Sequence, residues 1–148
     1  MSKIKLFSNF FEKRKSEDIF FDNNALQAAY LVGAFASAII ETSWDGVTRD
    51  GEILSYVKEN ETFKKWLSNQ SIRLNNLIKI FNKAAYYQRK FNLENAITKD
   101  LSTLVTDHLE INPDAKATDQ EVSFAFLRGY NDFRTFKYTK KEKNNGNS

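Results

Sequence analysis

Across residues 61–91, seven cationic side chains (Lys64, Lys65, Arg73, Lys79, Lys83, Arg89 and Lys90) stand against a single acid, Glu61. Solvated helices ordinarily intersperse Glu with Lys at i, i+4 spacing. This stretch hardly does, so its positive charge is left uncompensated locally. The chemistry such a row suits is contact with a phosphate backbone, where each neutralised phosphate releases a counterion and binding weakens with salt, whatever the base sequence. Tyr86 and Tyr87 lie among the cations. An aromatic ring beside basic groups stacks an unpaired base, although Tyr87 serves equally well at the edge of a core. The flanking segments are acidic: residues 22–60 hold six acids and two bases, and residues 92–123 hold seven acids and two bases. A whole-chain net charge of only +3 hides this segregation.

Other chemistries find little support. The lone histidine, His108, has no second His or Cys near it and reads as a surface or helix-end residue. Asp45, Asp50 and Glu52 cluster in one loop, but they miss the twelve-residue calcium-loop pattern and read as a solvated turn. There is no phosphate-cradling Gly-rich loop, nucleophile elbow or paired-acid signature. The expectation is therefore no catalytic residue, no metal and no cofactor, with Lys65, Arg73, Lys79, Lys83, Tyr86, Arg89 and Lys90 as the candidate nucleic-acid contacts.

The elements that must position these residues are helical. With one Pro, five Gly and no alternating apolar runs in 148 residues, the chain lacks the punctuation that strands and turns require. Hydrophobic residues at 41% and thirteen Phe exclude wholesale disorder. The absence of Cys excludes disulfides and suits a reducing cytoplasm. No export signal is visible at the N-terminus. The fold class expected is all-α, a single bundle of about five helices. Residues 1–21 read as an amphipathic arm or short helix carrying Leu6, Phe7, Phe10 and Phe11, residues 22–136 as the bundle, and residues 137–148 as a disordered Lys/Asn-rich tail.

Within the bundle, a helix capped at Asp22, Asn23 or Asn24 and running to about Thr42 is apolar almost all round. Its longest apolar run, residues 25–40, is shorter than the roughly 20 residues a bilayer demands, which makes it a buried helix. Ala25, Ala29, Gly33 and Ser37 recur every fourth residue and form a small-residue ridge along which another helix approaches closely. Residues 43–51 read as a loop with Trp44 at its entrance as a lid on the core, and residues 52–59 as a short helix broken near Asn60. Residues 61–91 read as one long helix. Phe63, Trp66, Leu67, Gln70, Leu74, Leu77, Ile78, Phe81, Ala84 and Ala85 lie on its buried side, and Lys65, Ile72, Lys79, Lys83, Tyr86 and Lys90 on its reverse. Such a rod would span roughly 37 Å from Lys65 to Lys90. Asn92 caps the next helix, which ends before Pro113. Thr118 with Glu121 has the spacing of a capping box that opens a last helix through about Phe133.

The order of these elements resembles a known family. An apolar helix with the step Leu31-Val32-Gly33 precedes a long basic helix, and the chain closes on Phe124-Ala125-Phe126-Leu127-Arg128-Gly129-Tyr130. Over residues 25–133 this is similar to the C-terminal helical region of the large subunit of type I CRISPR Cascade complexes, especially the I-B group, where the region also occurs as a separate small subunit. The resemblance implies a helical bundle without nuclease activity, present in several copies in a cytoplasmic ribonucleoprotein. It would steady the guide-target hybrid or the displaced DNA strand beside guide RNA and other effector subunits. Small subunits of type III effectors share this character. Phe124, Gly129 and Tyr130 carry the resemblance and read as packing residues. The alternative is a helical protein-protein adaptor, with the basic face on an acidic partner and the Phe-rich N-terminus as its anchor. A third reading is an enzyme using a metal in the Asp45 to Glu52 loop.

Overall fold

In a computed structural model that describes residues 6–17, 23–45, 55–90, 93–109 and 116–146, the chain is all-α, with no strand among the described residues. The helices are α1 (Phe7–Glu17), α2 (Asn24–Asp45), α3 (Ser55–Ser68), α4 (Leu77–Lys90), α5 (Ala96–Leu109) and α6 (Asp119–Gly146), with one 3-10 turn (Leu74–Asn76) ahead of α4. α2 is the central rod, and it packs on α3, α4, α5 and, most extensively, α6.

α2 starts where Asn23 caps it: the Asn23 side-chain oxygen accepts the Ala25 N–H at 2.8 Å and its carbonyl accepts the Gln27 N–H at 3.0 Å. From Ala25 to Ile40 every side chain except Gln27 is buried. A helix that is apolar all round must be surrounded on every side. The stretch Asn24–Thr42 is in fact long and apolar enough to cross a membrane, so the length argument does not stand; what marks it as a core helix is that 83% of its apolar window is buried inside the bundle.

The small-residue ridge does what its spacing predicts. A Cβ built on Gly33 would overlap the backbone carbonyl of Phe126, and one built on Gly129 would overlap the carbonyl of Tyr30. α2 and α6 therefore meet backbone to backbone, each contributing the glycine that admits the other. Ser37, on the same ridge, is wholly buried and its hydroxyl is without a hydrogen-bond partner among the described residues.

α1 belongs to the same core. Phe7 and Phe11 are wholly buried, with Phe7 against Tyr30, Phe133 and Phe136 and Phe11 stacked on Tyr30. A Phe-rich N-terminus offered to a partner is thus corrected: these rings are consumed by the chain's own interior. A polar clamp completes the docking. Arg14 reaches the buried Asp132 of α6 through Nε at 2.9 Å and Nη2 at 3.1 Å, and the Tyr30 hydroxyl of α2 donates to the same carboxylate at 2.7 Å. Such paired donors on one carboxylate satisfy a charge that would otherwise be costly to bury. Burial and then the hydrogen bond to Asp132 push the Tyr30 phenol far above its ordinary range, so it stays a donor. At the start of α1, the Ser8 N–H donates to Asp100 of α5 at 3.1 Å, placing an anion at a helix N-terminus.

Several boundaries differ from those read in the sequence. Residues 61–91 are not one helix. α3 runs unbroken from Ser55 through Asn60, without the break expected there, and stops at Ser68. Its last carbonyls are taken by the polar side chains that follow: Ser68 Oγ and Asn69 Nδ2 donate to the Lys65 carbonyl, and Gln70 Nε2 donates to that of Trp66. Such local side-chain bonds compete with helix continuation. α5 is capped by Asn95, whose Oδ1 accepts the N–H groups of Ile97 and Thr98 at 2.9 Å, whereas Asn92 lies outside the described residues. α6 opens on the expected box, Thr118 N–H to Glu121 Oε1 at 3.0 Å and Glu121 N–H to Thr118 Oγ1 at 3.1 Å. It then continues past Phe133 to Gly146, with no Pro or Gly between those residues to stop it. α2 extends to Asp45, and the remainder of the loop holding Asp50 and Glu52 lies outside the described residues.

Two outcomes follow. Ala is favoured over Gly by about 1 kcal/mol in an open helix, yet Gly33→Ala and Gly129→Ala should each lower the thermal midpoint, because overlap with a backbone costs typically ~1–3 kcal/mol and no rotamer relieves it. A raised midpoint in either variant would mean that the crossing is looser than this. The Thr118 N–H bond, and secondarily the Thr118 hydroxyl, hold the Glu121 carboxyl below its usual range. Its contribution is therefore complete above the unfolded-state pKa and lost as pH falls through the folded one. Urea midpoints should differ between Glu121→Ala and the unaltered chain at neutral pH, and converge in acid.

Candidate nucleic-acid interface

The end of α3 at Ser68 changes the geometry of the basic segment. Instead of a rod, α3 and α4 form an antiparallel hairpin: Phe63 packs on Tyr87 at 5.2 Å between ring centroids, while Trp66, one turn further along α3, faces Lys83 and Lys79, earlier on α4. Phe63 also stacks on Trp66 at 6.2 Å, so one aromatic seam joins the pair. The turn between them is fixed by Asn76 Nδ2 donating to the Ser71 carbonyl at 2.8 Å.

Along the outer side of this hairpin runs an open groove. Trp66 of α3 forms one wall, Asn75 one end, and Ile78, Lys79, Asn82, Lys83, Tyr86 and Tyr87 the α4 wall. At 100° per residue, Ile78, Asn82, Arg89, Tyr86, Lys79, Lys90 and Lys83 fall within an arc of roughly 140°. The opposite side of α4 carries the buried Leu77, Ile80, Ala84, Ala85 and Gln88.

The structure disposes the seven sequence candidates unequally. Lys79 and Lys83 line the groove, with their ammonium groups 5.9 and 5.6 Å from the Trp66 ring. Lys83 also lies 5.9 Å from Tyr86 and 5.8 Å from Tyr87. Tyr86, 44% exposed, lines the groove with Lys90 5.5 Å from its ring. Arg89 is exposed on the same arc, one turn beyond Tyr86. Lys65 is exposed on α3 but is not part of the groove wall. Arg73 is drawn off to α6, with Nε 3.5 Å from Asp119. Lys65, Lys79, Lys83 and Arg89 have no carboxylate at ion-pair distance among the described residues.

Two assignments on the expected rod are corrected by the break at residues 69–73. Ile72, read as outward, is half-buried and packs on the core. Ile78, read as inward, is 55% exposed and lines the groove. Leu77, Ala84 and Ala85 stay inward as read, so after the helix stops and restarts the apolar stripe on α4 is displaced only enough to leave Ile78, at its edge, in solvent. Trp66, Asn75, Ile78 and Asn82 are groove residues that the sequence reading missed. The polar run Ser68-Asn69-Gln70-Ser71 was the available signal, since a helix ended there brings Trp66 back over α4.

Elsewhere, His108 sits at the end of α5 with Nδ1 2.8 Å from the Leu104 carbonyl and its ring against the edge of Phe11 at 5.6 Å, a helix-end residue. No cluster of three or more His, Cys, Asp or Glu positioned to hold a metal occurs among the described residues. A second concavity, of about 310 Å³, lies on the other side of α3 between Ile40, Leu67, Ile72, Phe126, Leu127 and Tyr130. Leu127 on its wall and Phe124 one turn earlier on α6 are 53% and 57% exposed.

The fold and this surface define an all-helical bundle domain with a basic, aromatic-lined groove. The chain belongs to the family described as CRISPR-associated protein TM1802 (cas_TM1802) C-terminal domain, whose model matches residues 1–144. It is thus a CRISPR-associated domain with a role in CRISPR defence, working within a CRISPR system. No curated protein and no solved structure matches the chain.

Proposed function

We propose that the chain is a non-catalytic, nucleic-acid-contacting helical module of a CRISPR effector ribonucleoprotein, acting in the cytoplasm as a small subunit or as the equivalent region of a large one. The observation that carries this reading is the α3–α4 groove, where Lys79 and Lys83 stand over aromatic rings without a carboxylate partner among the described residues. Cations that no neighbouring acid satisfies, on a concave surface, are suited to phosphates. In RNA-guided effectors, base pairing reads the sequence and protein supplies backbone contacts. A groove that offers charge and no reactive constellation fits that division, with the guide-target hybrid or the displaced DNA strand as its ligand. A single module with few phosphate contacts is weak alone and gains avidity from several copies in one assembly. The exposed Phe124 and Leu127 beside the second concavity support contact with neighbouring effector subunits, because exposed apolar patches of this kind mark protein contacts.

The full chain should retard random oligonucleotides at low salt, with affinity falling steeply as salt rises. Lys79→Glu with Lys83→Glu should abolish this retardation, while single Lys→Gln changes should each reduce the salt slope by about one. Unaltered binding in the double variant, or binding indifferent to salt, would assign the phosphate contacts to another surface. Absence of retardation at any salt favours the protein-only adaptor.

A further inference from the structure

A surface that held phosphates alone would need cations and water, yet this groove also keeps large apolar side chains in solvent. Four large hydrophobic residues are exposed among the described ones, and two of them, Ile78 and Tyr86, lie in the groove. They are eight residues apart on α4, about 12 Å along its axis, with the Asn82 amide between them. The Tyr86 ring stands at 70° to the buried Tyr87, its centroid 5.2 Å away, which fixes one edge and leaves the rest of the ring at the surface. Ammonium groups approach it from both directions along the helix, Lys83 at 5.9 Å and Lys90 at 5.5 Å.

We infer that the groove takes unpaired nucleotides, with Tyr86 as a stacking platform for one base, Ile78 as apolar support for a neighbouring one, and Lys83 and Lys90 on the flanking phosphates. The inference rests on the proposed nucleic-acid reading and narrows it to single-stranded polynucleotide. The faces of paired bases are covered by their neighbours in the stack, so a duplex or guide-target hybrid has nothing to lay on Tyr86 or Ile78. An unpaired strand offers a π-face at every base, whatever its sequence. The three rings around Lys83 (Trp66, Tyr86 and Tyr87) hold its ammonium over the groove by cation-π attraction, so the phosphate-binding group and the stacking ring are positioned as one unit.

The test compares oligothymidylate with an abasic oligonucleotide of equal length and charge, and with an RNA-DNA hybrid, on the full chain at low salt. Base stacking predicts that oligothymidylate binds about tenfold or more tightly than the abasic strand, and more tightly than the hybrid per phosphate contacted. Tyr86→Leu should remove that advantage, leave the abasic strand's affinity and the salt slope unchanged, and Tyr86→Phe should restore it. Equal affinity of the unaltered chain for the two strands overturns the stacking inference while leaving the phosphate-contact reading intact. Failure to bind either strand overturns the reading itself. The comparison of strands needs no variant, so a folding defect in Tyr86→Leu does not obscure the result.

Discussion

The close crossing of α2 and α6 sets the frame for the rest of the molecule. Gly33 lies against the Phe126 carbonyl and Gly129 against that of Tyr30, so the two longest helices share a contact in which backbone replaces side chain. With the axes drawn so near, the residues on either side are committed. Tyr30 projects to the α1 side, where Phe7, Phe11 and Asp132 enclose it. Phe126 projects to the α3 side, where it lines the second concavity. Close-packed interiors transmit such constraints because they have no free volume in which to absorb a shift.

Around this frame the charged groups sort by role. Asp132 and Asp100 face inward and are spent on architecture, one receiving Arg14 and Tyr30, the other receiving the first turn of α1. Arg73 is latched by Asp119. Lys79 and Lys83 are left on the rim of the α3–α4 hairpin with aromatic rings beneath them. The segregation visible along the sequence therefore becomes a three-dimensional one, but with fewer available cations than the linear count suggests. The groove owes its second wall to a helix end, and the side chains that terminate α3 are polar residues with no role in the core.

Much of the fold was legible because it depends on periodicity and local chemistry. The apolar run at residues 25–40, the ridge through Gly33 and the box formed by Thr118 and Glu121 all report interactions within a few residues, or a face repeated every turn. The break at residues 69–73 was written in Ser68-Asn69-Gln70-Ser71, yet each of these residues is tolerated in a helix, and the side chains of Ser68, Asn69 and Gln70 act together on the α3 carbonyls, a pattern no single residue announces. Asn92 and Asn95 are equivalent as caps by type, and the competition is settled by Thr98, whose hydroxyl lies 2.9 Å from both the Asn95 N–H and the Leu93 carbonyl. The Arg14–Asp132 pair joins positions 118 apart, which no local pattern encodes. Its one trace in the sequence is an acid three residues after Gly129, on the apolar side of α6. In the groove, Lys79 and Lys83 were identifiable from charge and Tyr86 from its place among the cations, whereas Trp66 and Ile78 required the turn.

The separation in sequence between α2 and α6 has a consequence for synthesis. α2 leaves the ribosome with every face apolar, while the helix that covers most of it begins only at Asp119. At ~5–20 residues per second, that leaves roughly 4–15 s between completion of α2 and the appearance of its most extensive partner. The interval invites sequestration by chaperones, or early burial against α3, α4 and α5, each of which emerges sooner and touches α2. The core can close only when Gly129 arrives, so completion of the native state is tied to the synthesis of α6.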